Sequence, residues 1–253
     1  MMRIAFPGAL TALLLAVASP ARAEEAGKEV KAIVAKAIEA KGGAANLAKF
    51  TGSTATFKGT FRGMGDAVAM SGTQKEQAPD KLRMEASLNI GGMDVTIVQV
   101  VNGDKGWFGA NGNFDEMSKE MLDEAKEQLH TRQVSELRGL TGKDVKLSPL
   151  GEAKVGDATA VGVRVSRKGF RDVDLYFDKD KGLLLKSETE GVDVMGGGGK
   201  FKAQTLYHDY KKVDGVMRPH KVIVLHDGTP FIDMEMTKVT AAEKLDDKDF
   251  AKP

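Results

Sequence analysis

The sequence predicts an α+β fold: one antiparallel sheet of about eleven strands, with an N-terminal helix and a mid-chain helix available to cover its apolar face. Three observations predict it. Apolar residues recur at helical spacing in only two stretches of the chain. Elsewhere, short segments alternate apolar and polar residues with period two, joined by turns rich in Gly, Asn and Asp. No strand–helix–strand rhythm runs through the sequence, which argues against a parallel sheet.

The chain opens Met1-Met2-Arg3, runs through an apolar stretch from Ile4 to Ser19, and reaches Ala21-Arg22-Ala23. A positive start, an apolar run and small residues two apart form the pattern of a secretory signal peptide, with cleavage expected after Ala23. Pro7 and Pro20 interrupt the run, which is also short for the roughly 20 residues of a membrane span. Residues 24–253 are then an exported periplasmic product, a single domain without a dividing linker or a spanning segment. The leader carries two arginines and no acid, so the formal net charge falls from +1 to −1 on cleavage.

From Glu24 to Lys41, Val30, Ile33, Val34, Ala37 and Ile38 mark one helical stripe, and acids sit in the first turns, where the helix dipole favours them. Gly42-Gly43 stops this helix, and Ala44 to Phe50 adds a turn or two. Strands follow. Phe57, Gly59 and Phe61 alternate with polar residues, as do Val68 and Met70. Leu82, Met84, Ala86, Leu88 and Ile90 form the cleanest alternation, and after Gly91-Gly92 the chain returns through Met93, Val95 and on to Val101. Asn102-Gly103 turns into Trp107-Phe108. Ser118 to Leu137 reads as the second helix, with Ser118 as N-cap and Met121, Leu122, Ala125 and Leu129 on one face. Strands resume over 158–166, 172–178, 183–190, 201–212, 218–226 and 231–240, and the tail is acidic up to Phe250.

The composition leans away from catalysis. There is no cysteine, hence no thiolate nucleophile, zinc-thiolate site or lipidated cysteine, and there are only four histidines. The near-zero charge gives no reason to expect nucleic acid. Gly196–Gly199 and Lys200 lack the Ser or Thr of a phosphate loop, and Phe201 follows instead, so a hairpin tip is expected. Asp178 to Gly182 begins like a calcium loop, but position 12 is Thr189, so it reads as a turn. His220 and His226 stand roughly 20 Å apart on one strand, and His208 and Asp209 point to opposite faces. No cofactor, metal site or nucleophile–base pair is expected. Twelve methionines, several on strand faces, suit a surface that takes varied apolar shapes.

The order of these parts resembles the lipoprotein-carrier superfamily of LolA- and LolB-like proteins. The resemblance rests on Gly72, Pro79 and Leu82-Arg83-Met84-Glu85, then on Val98–Val101, Asn102-Gly103 and Trp107. It continues in Val173–Asp178 with Gly182 and Lys186-Ser187-Glu188, in Tyr210–Val216 with Pro219, and in Leu245–Phe250. It implies an open antiparallel half-barrel whose helices lid a concave apolar face that takes acyl chains. In the periplasmic carrier an arginine stands immediately before the proline; here Ala78 does, and the receptor branch's lipidated cysteine is also missing.

The expected function is therefore a soluble, non-catalytic carrier or binding protein for acyl chains of a lipid or lipoprotein. The expected wall is Phe57, Phe61, Met70, Leu82, Met84, Leu88, Met93, Val95 and Trp107, and the expected lid is Met121, Leu122 and Leu129. The alternative is an envelope sensor or adaptor on the same fold that binds a protein partner, including an envelope membrane protein. An enzyme using His208, Asp209 or His220 finds no support in the sequence.

Overall fold

A computed structural model describes residues 20–253. The expected leader, residues 1–23, lies outside the described residues except for its last four positions. Helix α1 (Pro20–Lys41) and the short α2 (Ala44–Lys49) precede six strands: β1 (Gly52–Met64), β2 (Asp66–Gln77), β3 (Lys81–Ile90), β4 (Met93–Asn102), β5 (Lys105–Ala110) and β6 (Asn113–Glu116). Helix α3 (Lys119–Ser135) then leads to β7 (Val145–Val155), β8 (Ala158–Arg167), β9 (Val173–Asp178), β10 (Leu184–Val192), β11 (Lys200–Val213), β12 (Val216–His226) and β13 (Thr229–Ala242). A 3₁₀ turn at Asp247–Phe250 ends the fold.

The strands form one sheet in the order β6-β5-β4-β3-β2-β1-β13-β12-β11-β10-β9-β8-β7. Every pairing is antiparallel, and the two edges do not meet, so the half-barrel stays open. Two meanders, β1–β6 and β7–β13, are stitched together by a single long-range pairing, β1 with β13. Among the described residues there are thirteen strands where about eleven were expected. The two additions, β6 and β7, are the two edges. Edge strands bury neither face fully, so neither carries the alternating signal; β7 even holds Pro149 and Gly151, which an edge tolerates.

This topology dictates the position of α3. Its neighbours in sequence, β6 and β7, lie at opposite edges, so residues 117–144 must cross the width of the sheet. Ser118 caps α3 by accepting from the Met121 N–H at 3.3 Å. Gly106 seats the start of the helix: a Cβ there would lie 2.6 Å from Met117 Sδ and 3.0 Å from Leu122 Cδ1.

Three apolar clusters hold the fold. Val30, Val34 and Ala37 of α1 pack on Val163, Val165, Leu175 and Phe177 of β8 and β9. Gly42 ends α1 with φ +127°, and a Cβ there would stand 2.2 Å from the Gly215 carbonyl, so only glycine fits. Leu82, Val101 and Met117 pack with Ala125 and Leu129 of α3. Between these two, Phe57, Met70, Ala86, Leu88 and Met234 form a cluster built from strands alone.

Candidate functional site

Between α3 and the middle of the sheet lies a cavity of about 320 Å³. Its floor is apolar: Ala203 of β11, Val222 and Val224 of β12, and Ile232, Met234 and Met236 of β13. Its roof is the polar face of α3, with Gln128, Thr131, Arg132 and Ser135. The two ends differ. At one, His226 stacks on Phe231 with centroids 3.8 Å apart and meets Phe201 at 3.9 Å. Phe231 reaches this position because it is the extra residue of a bulge, between Ile232 paired with Val224 and Pro230 paired with Leu225. Burial lowers the pKa of His226.

The other end is charged. Glu136, just past α3, takes Lys41 Nζ at 3.0 Å and accepts from Arg218 Nη1 at 2.9 Å. Burial would raise the carboxyl pKa of Glu136, but Lys41 and Arg218 outweigh it and pull the value to about 2. Burial depresses the Lys41 pKa, against the pull of Glu136. Lys41 also donates to the Ser135 carbonyl at 3.3 Å, and Arg138 donates to the carbonyls of Leu47 and Phe50 at 3.2 and 2.6 Å. This buried cluster ties α1, the end of α3 and β12 to one another.

The opposite face of α3 borders a second, larger groove of about 820 Å³, between the helix, α2 and the β2–β3 turn at Pro79. His130 stands there, stacked on Phe170 with centroids 4.1 Å apart. Burial lowers its pKa to about 4, with the Arg167 charge adding to the effect. Helix α3 is thus a partition: Gln128, Thr131 and Ser135 look into the cavity, Leu129, His130 and Gln133 into the groove.

The sequence-predicted wall is placed differently. Strand register puts Phe57, Phe61, Met70, Leu82, Met84, Leu88, Met93 and Val95 on the face that α3 covers, but none of them borders the cavity. Phe57, Met70 and Leu88 are buried within the strand-only cluster, with Phe61 and Met84 packed against it. Phe61 approaches the cavity only through Phe231, at 5.2 Å between centroids. Leu82 is covered by α3, while Met93 is 70% exposed at the end of its strand. Trp107 is a correction. It pairs with Val100, in line with Arg83 and Lys75, on the face away from α3; Phe108 packs against the α3 cluster instead. The lid residues Met121, Leu122 and Leu129 pack α3 onto the sheet and do not border the cavity. Of the apolar floor on β11–β13, the sequence marks Met234 and Met236 only as methionines on apolar strand faces and not as wall, because only the β1–β13 pairing brings this floor beside the N-terminal strands.

Similar folds are found among solved structures. A LolA superfamily protein from Nitrosomonas europaea matches 88% of this chain and 97% of its own, at 12% identity and a TM-score of 0.55. An outer membrane lipoprotein-sorting protein domain from Vibrio parahaemolyticus matches 88% and 96%, at 12% identity and a TM-score of 0.53. A DUF1329 family protein from Desulfovibrio piger matches 88% and 97%, at 12% identity and a TM-score of 0.56. No family model and no curated protein matches the sequence. With these structures covered almost end to end, the open antiparallel fold of this chain is similar to theirs.

Proposed function

We propose that the protein is an exported binding protein that holds an acyl chain of a lipid or lipoprotein in the cavity under α3, without a catalytic step. One observation carries this reading: a space of about 320 Å³ is kept open over a floor of Val222, Val224, Ile232, Met234 and Met236. The apolar floor of such a space is poorly used by water and well used by methylenes, each contributing about 0.8 kcal/mol on burial. The leader pattern of residues 1–23 supports export, and among the described residues no helix is long and apolar enough to cross a membrane. The lipoprotein-sorting description of the Vibrio parahaemolyticus domain supports the same class of ligand.

The test is mass spectrometry of the protein taken from its native envelope, first under native and then under denaturing conditions. A lipid or lipopeptide released on denaturation is the expected result. A protein that is empty as isolated, and still empty after incubation with envelope lipids, would overturn the reading.

A further inference from the structure

Resting on that acyl-chain reading, we infer that the Arg218 end of the cavity is a carboxylate site, so that the ligand is a single-chain amphiphile with an anionic head. Arg218 is 7% exposed, and it borders the cavity. Only its Nη1 is spent, on Glu136. Its Nε is buried without a hydrogen-bond partner. A guanidinium held this deep with donors to spare costs free energy until an acceptor arrives, and a carboxylate is the acceptor whose geometry fits its fork.

The surrounding charges point the same way. Lys41, Arg138 and Arg218 all act on the one carboxylate of Glu136, so the cluster holds more positive than negative charge. Lys41 and Arg138 spend donors on carbonyls; Arg218 does not. The other acids around the cavity are committed elsewhere: Glu124 and Glu127 to Arg171, Glu76 to Arg132 at 2.5 Å, Glu190 to Lys200 at 2.9 Å. From Arg218, strand alternation along β12 passes the buried His220, which does not border the cavity, and then lays Val222, Val224 and His226 in line on the cavity floor. A charged head at Arg218 thus lies on the same face as the apolar track, one face position away from it. At about 30 Å³ per heavy atom, the 320 Å³ space takes roughly ten such atoms, one medium-length chain.

The experiment is calorimetric titration of the exported protein, stripped of bound lipid, with decanoate, decanol and acetate. Decanoate is expected to bind about ten- to a hundredfold more tightly than decanol, the worth of a hydrogen bond to a charged group. Acetate should give no measurable heat. In Arg218→Met the decanoate-to-decanol ratio should fall to about one. Equal affinities for decanoate and decanol in the unaltered protein would overturn the carboxylate site while leaving the acyl cavity intact. Acetate binding as tightly as decanoate would replace the amphiphile by a free small acid and overturn the inference. Binding of none of the three would remove the acyl-chain reading itself. The comparison in the unaltered protein decides the matter even if Arg218→Met does not fold.

Discussion

Replacing Ala203 by phenylalanine should weaken chain uptake and, in the same molecule, raise stability. Ala203 lies half-buried on β11, paired with Thr189 on one side and His226 on the other, and it borders the cavity. Phenylalanine adds six carbons. Packed into the site, they occupy roughly a third of the 320 Å³ space. A ligand then loses burial of about three to four methylenes, or about 3 kcal/mol, which weakens binding roughly a hundredfold. The free protein gains instead, because an aromatic ring on a strand fills a void that was already present; the expected gain is about 1 kcal/mol. Decanoate calorimetry reads the first effect and urea denaturation the second. A folded Ala203→Phe protein with unchanged decanoate affinity would show that the ligand does not occupy this space. Loss of stability together with binding would show that the space is packed core, since overpacking costs about 1–3 kcal/mol.

Two further outcomes follow from the partition helix. Leu129 is 3% exposed in the cluster that fastens α3 to β3 and β4, so Leu129→Ala should cost about 3 kcal/mol and lower Tm by roughly 6–12 °C, measured by thermal circular dichroism; a shift under about 2 °C would mean that this cluster does not hold the helix. The neutral His130 ring makes stability depend on pH: its folded pKa of about 4 lies below the ordinary 6.5, so the unfolded chain binds more protons between these values and stability falls as pH drops through that window. The loss is at most about 3 kcal/mol and is reduced by water in the adjoining groove; it should flatten in His130→Gln, read as the urea midpoint at pH 7, 5.5 and 4.5, and an equal pH slope in the variant would assign the effect elsewhere.

The fold was largely legible in the residues. Period-two alternation located Leu82–Ile90, because Leu82, Ala86 and Leu88 are buried on one face while the other stays partly wet; Met93–Val101 was located by its apolar run and turns, since Val98, Val100 and Val101 are buried on both faces. Gly42-Gly43 and Ser118 marked helix ends because a positive φ and an orphan N–H demand those residue types. What escaped was edge structure. Asn113–Glu116 is too short for a periodic signal, and Val145–Val155 is mostly exposed. The tail's 3₁₀ turn was also missed; it is fixed by distant partners, Asp247 with Lys81 and Asp249 with Lys75, which no local pattern announces.

The site was less legible, for a reason that lies in the topology. Alternation identifies which residues share a face of a strand, but not which part of that face a crossing helix leaves open. The apolar residues of β1–β4 are consumed twice over, Leu82 and Val101 by α3, and Phe57, Met70 and Leu88 by the curvature of the sheet itself. Open floor survives where β1 meets β13, far apart in sequence, and there α3 presents Gln128, Thr131 and Ser135 instead of its apolar stripe. That choice of stripe is itself informative. A helix meant only to seal a core would turn Met121, Leu122 and Leu129 toward the centre of the sheet. Here those residues anchor α3 to one side, and the polar stripe is held over the void by charge pairs from Arg132 to Glu76 and from Arg171 to Glu124. The sheet supplies the apolar surface, and the polar edge of the helix over it is held by ion pairs instead of core packing.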